Sequence, residues 1–232
     1  MTPAVTADAP NSATHALLCG SAIAGPLFVT VFVIEGAHRA DYKPMRHPVS
    51  SLALGPRGWV QVANFAVCGT LYLAGAAGLS RTRDPLLGTR LGPTLFGGVA
   101  LGLLGSAAFC TDPVSGYPPG TPDTPTEQTT NMTVHGFAAL PISIGIPAAA
   151  FAYARRFHRS GNPTWARYSA ATGVSMLATM GLAGAGFNQA PRLVNSAGLL
   201  QRAAIVTGFG WLTALSGRAL HRSHHLGEPS AT

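Results

Sequence analysis

Six long apolar segments joined by polar linkers dominate this chain and leave few folds open to it. They run Ala16 to Gly36, Trp59 to Leu79, Gly92 to Thr111, Thr133 to Ala154, Tyr168 to Phe187 and Gly198 to Leu220. About twenty consecutive apolar residues cover the ~30 Å hydrocarbon core of a bilayer, and each segment reaches or approaches that length. Lipid offers the backbone no hydrogen-bond partner, so a span must be a helix or part of a closed barrel. No alternation of apolar and polar residues supports a barrel. The expectation is an all-α, polytopic transmembrane helix bundle with six spans over residues 16–220, with mobile tails at 1–15 and 221–232. The first segment does not read as a signal peptide, because no Lys or Arg precedes it and its apolar run is long.

Composition agrees with a membrane setting. Charged residues make up 10% of the chain and hydrophobic ones 47%, against about 25% charged in an ordinary soluble domain. A nucleic-acid partner is therefore not expected despite the formal net charge of +7. The basic excess reads instead as loop charge facing anionic lipid headgroups. Cys19, Cys68 and Cys110 all fall in apolar segments and form no CxxC pair, so they read as packing residues.

The basic residues also orient the bundle. Arg81, Arg83, Arg90, Arg155, Arg156, Arg159, Arg167, Arg218 and Arg222 fall on one side, with Arg39, Lys43, Arg46, Arg57 and Arg192 on the other. The positive-inside rule then puts both termini in the cytoplasm of a multi-pass inner (plasma) membrane protein. Within the spans, Gly98, Gly102 and Ser106 form a smooth face on the third helix that permits close packing. Pro26, Pro141 and Pro147 should bend their helices, and the last two make a cavity beside the fourth helix plausible. The linker Ala37 to Gly58 is too polar to span, but Val49 to Leu54 fits a short helix on or in the bundle.

Under six spans, the chain's polar groups gather on one face. Glu35, Asp112, His135, Asn188 and Arg202 at helix ends and His47, Ser50 and Ser51 in the first outer loop all come to the same membrane face, and ionisable groups at membrane depth are functional candidates. Asp112 or Glu35 could donate a proton to a substrate and His47 or His135 receive one from it. Asp112, His135 and His47 could alternatively bind a divalent metal, although no HxxxH or HExxH spacing supports one. A serine nucleophile at Ser50 or Ser51 is a further option. Arg46 and Arg202 suit a phosphate or carboxylate headgroup, or else an ion pair with Glu35 or Asp112. No Gly-rich phosphate loop is present, so no nucleotide or other cofactor is expected.

The run Tyr42-Lys43-Pro44-Met45-Arg46-His47-Pro48-Val49-Ser50-Ser51-Leu52-Ala53-Leu54-Gly55, followed by Gly58-Trp59-Val60-Gln61-Val62-Ala63-Asn64-Phe65, resembles the signature of the domain of unknown function 998 family. A second block, Phe109-Cys110-Thr111-Asp112-Pro113, Tyr117-Pro118-Pro119-Gly120 and then His135, resembles it too. The resemblance covers about Ala16 to Leu220 and implies a multi-helix membrane protein. It marks Arg46, His47, Ser50, Ser51, Gln61, Asn64, Asp112 and His135 as candidate site residues, and it implies no reaction.

Two classes of function remain. One is a membrane-embedded enzyme whose outer rim handles a hydrophobic small molecule, a lipid or an isoprenoid or terpenoid-like amphiphile, by hydrolysis, transfer or cyclisation. Asp112, His135, His47 and Glu35 would do the acid/base work, with Arg46, Ser50, Ser51, Gln61, Asn64 and Arg202 holding the substrate. The other is a non-enzymatic transporter, lipid-binding or scaffold protein.

Overall fold

The structure, a computed structural model, describes residues 12–225 apart from Arg83 and Thr126, and for Ser223, His224 and His225 the backbone only. The described chain is helical throughout, with no strand beyond an isolated bridge between Val114 and Tyr117. The helices are α1 (Ser12–His38), α2 (Gly58–Arg81), α3 (Leu91–Ala108), α4 (Thr130–Leu140), α5 (Ile146–Arg159), α6 (Pro163–Phe187) and α7 (Ala197–His225).

Five helical segments are long and apolar enough to cross a membrane: α1, α2, α3, the continuous stretch Thr130–Arg159 and α6. Six were expected. The stretch read as the sixth lies in α7, which has 29 residues but carries Arg202, Arg218 and Arg222 and falls outside that set. The chain is an all-α, multi-pass membrane protein. Helix also extends into both segments read as tails, since α1 begins at Ser12 and α7 runs to His225. The remainder of those tails, 1–11 and 226–232, lies outside the described residues.

Neighbouring helices pack side by side, and α7 returns to lie against α1 as well as α6. Small residues set the close approaches. A side chain at Gly25 would meet Thr213, Tyr72 and the Phe209 carbonyl, and one at Gly173 would meet the Phe151 ring. Buried rings fill the interior, with Phe28 against Phe65 (5.5 Å) and Phe209 (5.1 Å), and Tyr153 against Trp211 (5.7 Å). Some buried polar groups pair between helices, as apolar surroundings favour. Ser21 bonds Ser216 at 3.0 Å, and the Trp211 indole donates to Ser169 at 3.1 Å.

Pro26 lies inside an uninterrupted α1. Pro141 instead begins a π turn, Pro141–Gly145, in which the Ile146 N–H donates to the Pro141 carbonyl. This turn joins α4 to α5. Below it, α5 packs tightly on α6. Above it, α4 packs on α3, and His135 is its buried residue. The glycine face of α3 allows this approach: a Cβ on Gly102 would lie 2.5 Å from the Ala138 carbonyl oxygen.

Candidate functional site

The linker after α1 folds over the end of the bundle at which α1 finishes and contains a short 3-10 helix, Val49–Ala53. Arginines fasten it. Arg39, with its side chain 7% exposed, pairs with Glu35 at 3.0 Å and donates to the carbonyls of Leu54 (2.8 Å) and Leu52 (3.1 Å). Arg57 reaches Glu35 from the solvent side. Glu35, expected as a possible acid, is thus the shared anion of two guanidiniums. Arg202, at the start of α7, donates to the carbonyls of Pro44 (2.5 Å), His47 (3.0 Å) and Gly198 (3.0 Å), and to the Tyr42 hydroxyl. Its guanidinium also lies over the rings of Phe32 and Tyr42.

Arg46 links three loops at this end of the bundle. It donates to the Ser115 carbonyl (3.2 Å), the Asn195 amide oxygen (3.0 Å) and Asp123 (2.6 Å). The pairing of Arg46 or Arg202 with Glu35 or Asp112, an alternative the sequence offered, does not occur. An open depression of about 520 Å³ lies beside Tyr42, Lys43, Arg46 and Asn195.

His47 is buried beneath these loops. Its Nδ1 accepts the Lys43 N–H at 2.9 Å, and its ring packs against Tyr42 (5.4 Å) and Tyr117 (5.2 Å). Burial, helped by the charges of Arg46, Lys43 and Arg202, pushes its pKa down from 6.5 to about 4. A neutral imidazole is therefore built into the linker. Burial likewise raises the Tyr42 phenol, against the pull of Arg202.

Asp112 lies at the far side of the rim and is half-buried. Its two oxygens take the Thr129 N–H (2.9 Å) and hydroxyl (2.7 Å), while Thr129 itself caps α4 by accepting the Met132 N–H at 3.1 Å. A carboxylate there also faces the positive end of the helix dipole. His135 is one turn into that helix. Its Nδ1 bonds the Phe109 carbonyl at 2.8 Å. A carbonyl only accepts, so Nδ1 carries the proton and neutral His135 has its lone pair at Nε2, which has no partner among the described residues.

His135 lines a cavity of about 100 Å³ in the half of the bundle beneath the linker. Phe28, Phe65 and Phe209 form an aromatic wall, Ile142 and Ser143 of the π turn another side, and Val49 and Ser50 the roof. A cavity beside the helical stretch that contains Pro141 is thus present. Gln201 secures the roof by accepting the Val49 N–H at 2.8 Å. Of the substrate-binding candidates, Ser50 reaches the cavity. Ser51, Gln61 and Asn64 are buried nearby in chain order but do not line it. Asn64 donates to the Phe28 carbonyl (3.2 Å) and to Gln61 (3.3 Å), whereas the Ser51 hydroxyl and the Gln61 amide nitrogen are buried without partners.

Among the described residues no three His, Cys, Asp or Glu side chains form a group that could hold a metal ion. Asp112, His135 and His47, the trio considered for one, each have a separate partner instead. Gln201 and Ser106, both lining the cavity, were missed as site residues. Gln201 carried a readable signal, an uncharged polar residue beside Arg202 at the start of an apolar run. Ser106 read as part of a packing stripe.

Apolar crossing helices, a polar cap fastened by arginines and an internal apolar cavity define a multi-pass membrane protein with a candidate ligand site in its capped half. The chain belongs to the family described as protein of unknown function (DUF998), whose model matches residues 22–218. No curated protein and no solved structure matches it.

Proposed function

We propose that this protein is a membrane-embedded enzyme acting by acid/base chemistry on a lipid or isoprenoid-like amphiphile. The observation that carries the reading is His135: its Nδ1 is fixed by Phe109, and its basic Nε2 is left unpartnered in a residue that lines an apolar cavity. An imidazole so held can take a proton from a bound substrate. Ser50 at the roof supplies a hydroxyl for the polar head, and the cavity accepts the adjoining apolar chain. Asp112 acts here as a positioning residue through the α4 cap, and Glu35 as the anchor of the roof. In this reading α7 makes a sixth crossing and both termini are cytoplasmic. Arg81, Arg90, Arg155, Arg159 and Arg167 are exposed at the end opposite the cavity, where the described acidic residue, Asp84, is buried against Arg222.

The engagement of Glu35, Asp112, Arg46 and Arg202 with protein partners favours a second reading, a lipid-binding or scaffold protein without turnover. His135→Asn separates the two, since its amide can still donate to Phe109 but has no group at the Nε2 position. Lipid and terpenoid extracts are compared from cells with equal membrane levels of each protein. A product present with wild type and lost with His135→Asn supports the enzyme. Identical extracts from two folded proteins overturn it in favour of the second reading.

A further inference from the structure

The cavity has a roof on its water side, so the route into it is a separate question. The roof is the Val49–Ala53 helix, held by Gln201 from α7 and by Arg39 at the Leu52 and Leu54 carbonyls. Arg46 closes the loops above it. The bilayer side is built differently. The cavity is bounded both by α4, through His135 and Ala139, and by α6, through Met180. Beyond the π turn, however, α4 packs on the glycine face of α3 and α6 on α7, and among the described residues no substantial packing joins α4 to α6.

Glycines lie on both helices. Gly184 lies one turn outward from Met180 on the same face of α6, and Gly136 follows His135 on α4. A Cβ on either would find no atom within 4 Å. Around them Phe137, Leu140 and Leu182 are exposed, 68%, 47% and 45% respectively, as lipid-facing residues are. The cleft between the helices therefore meets hydrocarbon.

We propose that the space between α4 and α6 is a lateral portal, through which the apolar chain of a bilayer amphiphile enters the cavity from the outer half of the membrane. The occupant is an acyl or isoprenyl chain. Its headgroup need not leave the interface, and the roof need not open. Small residues at the edges keep the portal clear, and the absence of a side chain at Gly184 and Gly136 is its width. This proposal rests on the cavity being the ligand site.

The test uses the full chain in proteoliposomes with two photoactivatable probes, a diazirine-bearing phosphatidylcholine and a diazirine-bearing isoprenoid alcohol, and maps labelled peptides by mass spectrometry. Gly184→Trp places a ring in the portal. Gly217→Trp, on α7 where a Cβ also meets nothing, is the control. Gly136→Trp blocks from the other side and replaces Gly184→Trp if that variant does not yield folded protein. The expected result is labelling at Ile142, Met180 or Ile205 in wild type and Gly217→Trp, lost in the portal variants. Which probe labels identifies the chain type. Equal cavity labelling in the portal variants overturns the portal and leaves the cavity reading intact. No cavity labelling of wild type by either probe overturns both.

Discussion

His135 and Asp112 are held by a single stretch of chain. The Phe109 carbonyl fixes the His135 ring, and Asp112, just beyond Phe109, secures the cap of the helix that carries His135. The end of α3 thus sets both the position of α4 and the orientation of its buried imidazole. A carboxylate and a histidine that look like an acid/base pair in sequence are related as support and supported group.

Weakening the cap should therefore be visible in stability before it is visible in chemistry. Thr129→Ala removes the hydroxyl that joins Asp112 to the Met132 N–H and is expected to cost about 1 kcal/mol. Asp112→Asn keeps one acceptor and should cost less than Asp112→Ala. Thermal unfolding in detergent orders the three, and equal melting temperatures for Asp112→Ala and wild type would show that the cap carries no weight.

Arg202 should resist conservative replacement. Its guanidinium serves three carbonyls and the Tyr42 hydroxyl at once, a fork that an ammonium does not reproduce. Arg202→Lys is expected to destabilise the linker by about 2 kcal/mol and Tyr42→Phe by about 1 kcal/mol. Limited proteolysis should cut Arg202→Lys faster within residues 39–57.

The Glu35 cluster predicts an asymmetry between its two arginines. Arg39 is enclosed and Arg57 is 60% exposed in its side chain. Breaking the enclosed pair leaves an uncompensated buried charge, whereas an exposed pair contributes little. The melting temperature should fall more for Glu35→Gln than for Arg57→Gln. The reverse order would mean that Arg39 finds enough compensation in the Leu52 and Leu54 carbonyls.

His47 gives the linker a pH dependence. Its pKa is lowered from 6.5 to about 4 in the folded protein, so between those values the unfolded chain binds more protons. The stability that His47 contributes is complete above about pH 6.5 and is lost as pH falls towards 4. His47→Asn, whose amide oxygen can still accept the Lys43 N–H, should flatten the melting-temperature profile in that window. An unchanged slope would assign the acid sensitivity to other groups.

Two positions on the α3 stripe should respond unequally to enlargement. A Cβ at Gly102 would press on the Ala138 carbonyl, while one at Gly98 would reach ordinary contact with Pro141 at 3.7 Å. Gly102→Ala is expected to cost about 2 kcal/mol through overpacking, and Gly98→Ala close to nothing. Monodispersity and unfolding of the purified variants decide this.

The helices were legible because lipid makes a long apolar run nearly synonymous with a helix, and α7 was ambiguous for the same reason, since Arg202 and Arg218 interrupt its run. The gathering of polar residues at one end was also legible from helix order. Their pairings were not. Glu35 could have met Arg46 or Arg202 as readily as Arg39 and Arg57, and only the path of the linker decides. Asp112 resembles a buried acid until Thr129, far along a loop, is seen to return to it. Gln201 became meaningful only when the Val49 N–H was placed above it.

The π turn at Pro141–Gly145 amounts to one surplus residue in a continuous helix. One residue corresponds to about 100° of rotation, so the turn sets the angular phase of everything before it relative to everything after. Tyr153 comes about five full turns of a regular α-helix after His135, so an unbroken α-helix would put the two side chains on one face. The π turn winds about 100° less over that stretch, so His135 is buried in one half in a different direction from Tyr153 and Phe157 in the other. Straightening the turn into α-helix at constant sequence would swing the imidazole by that angle away from its present place in the cavity wall.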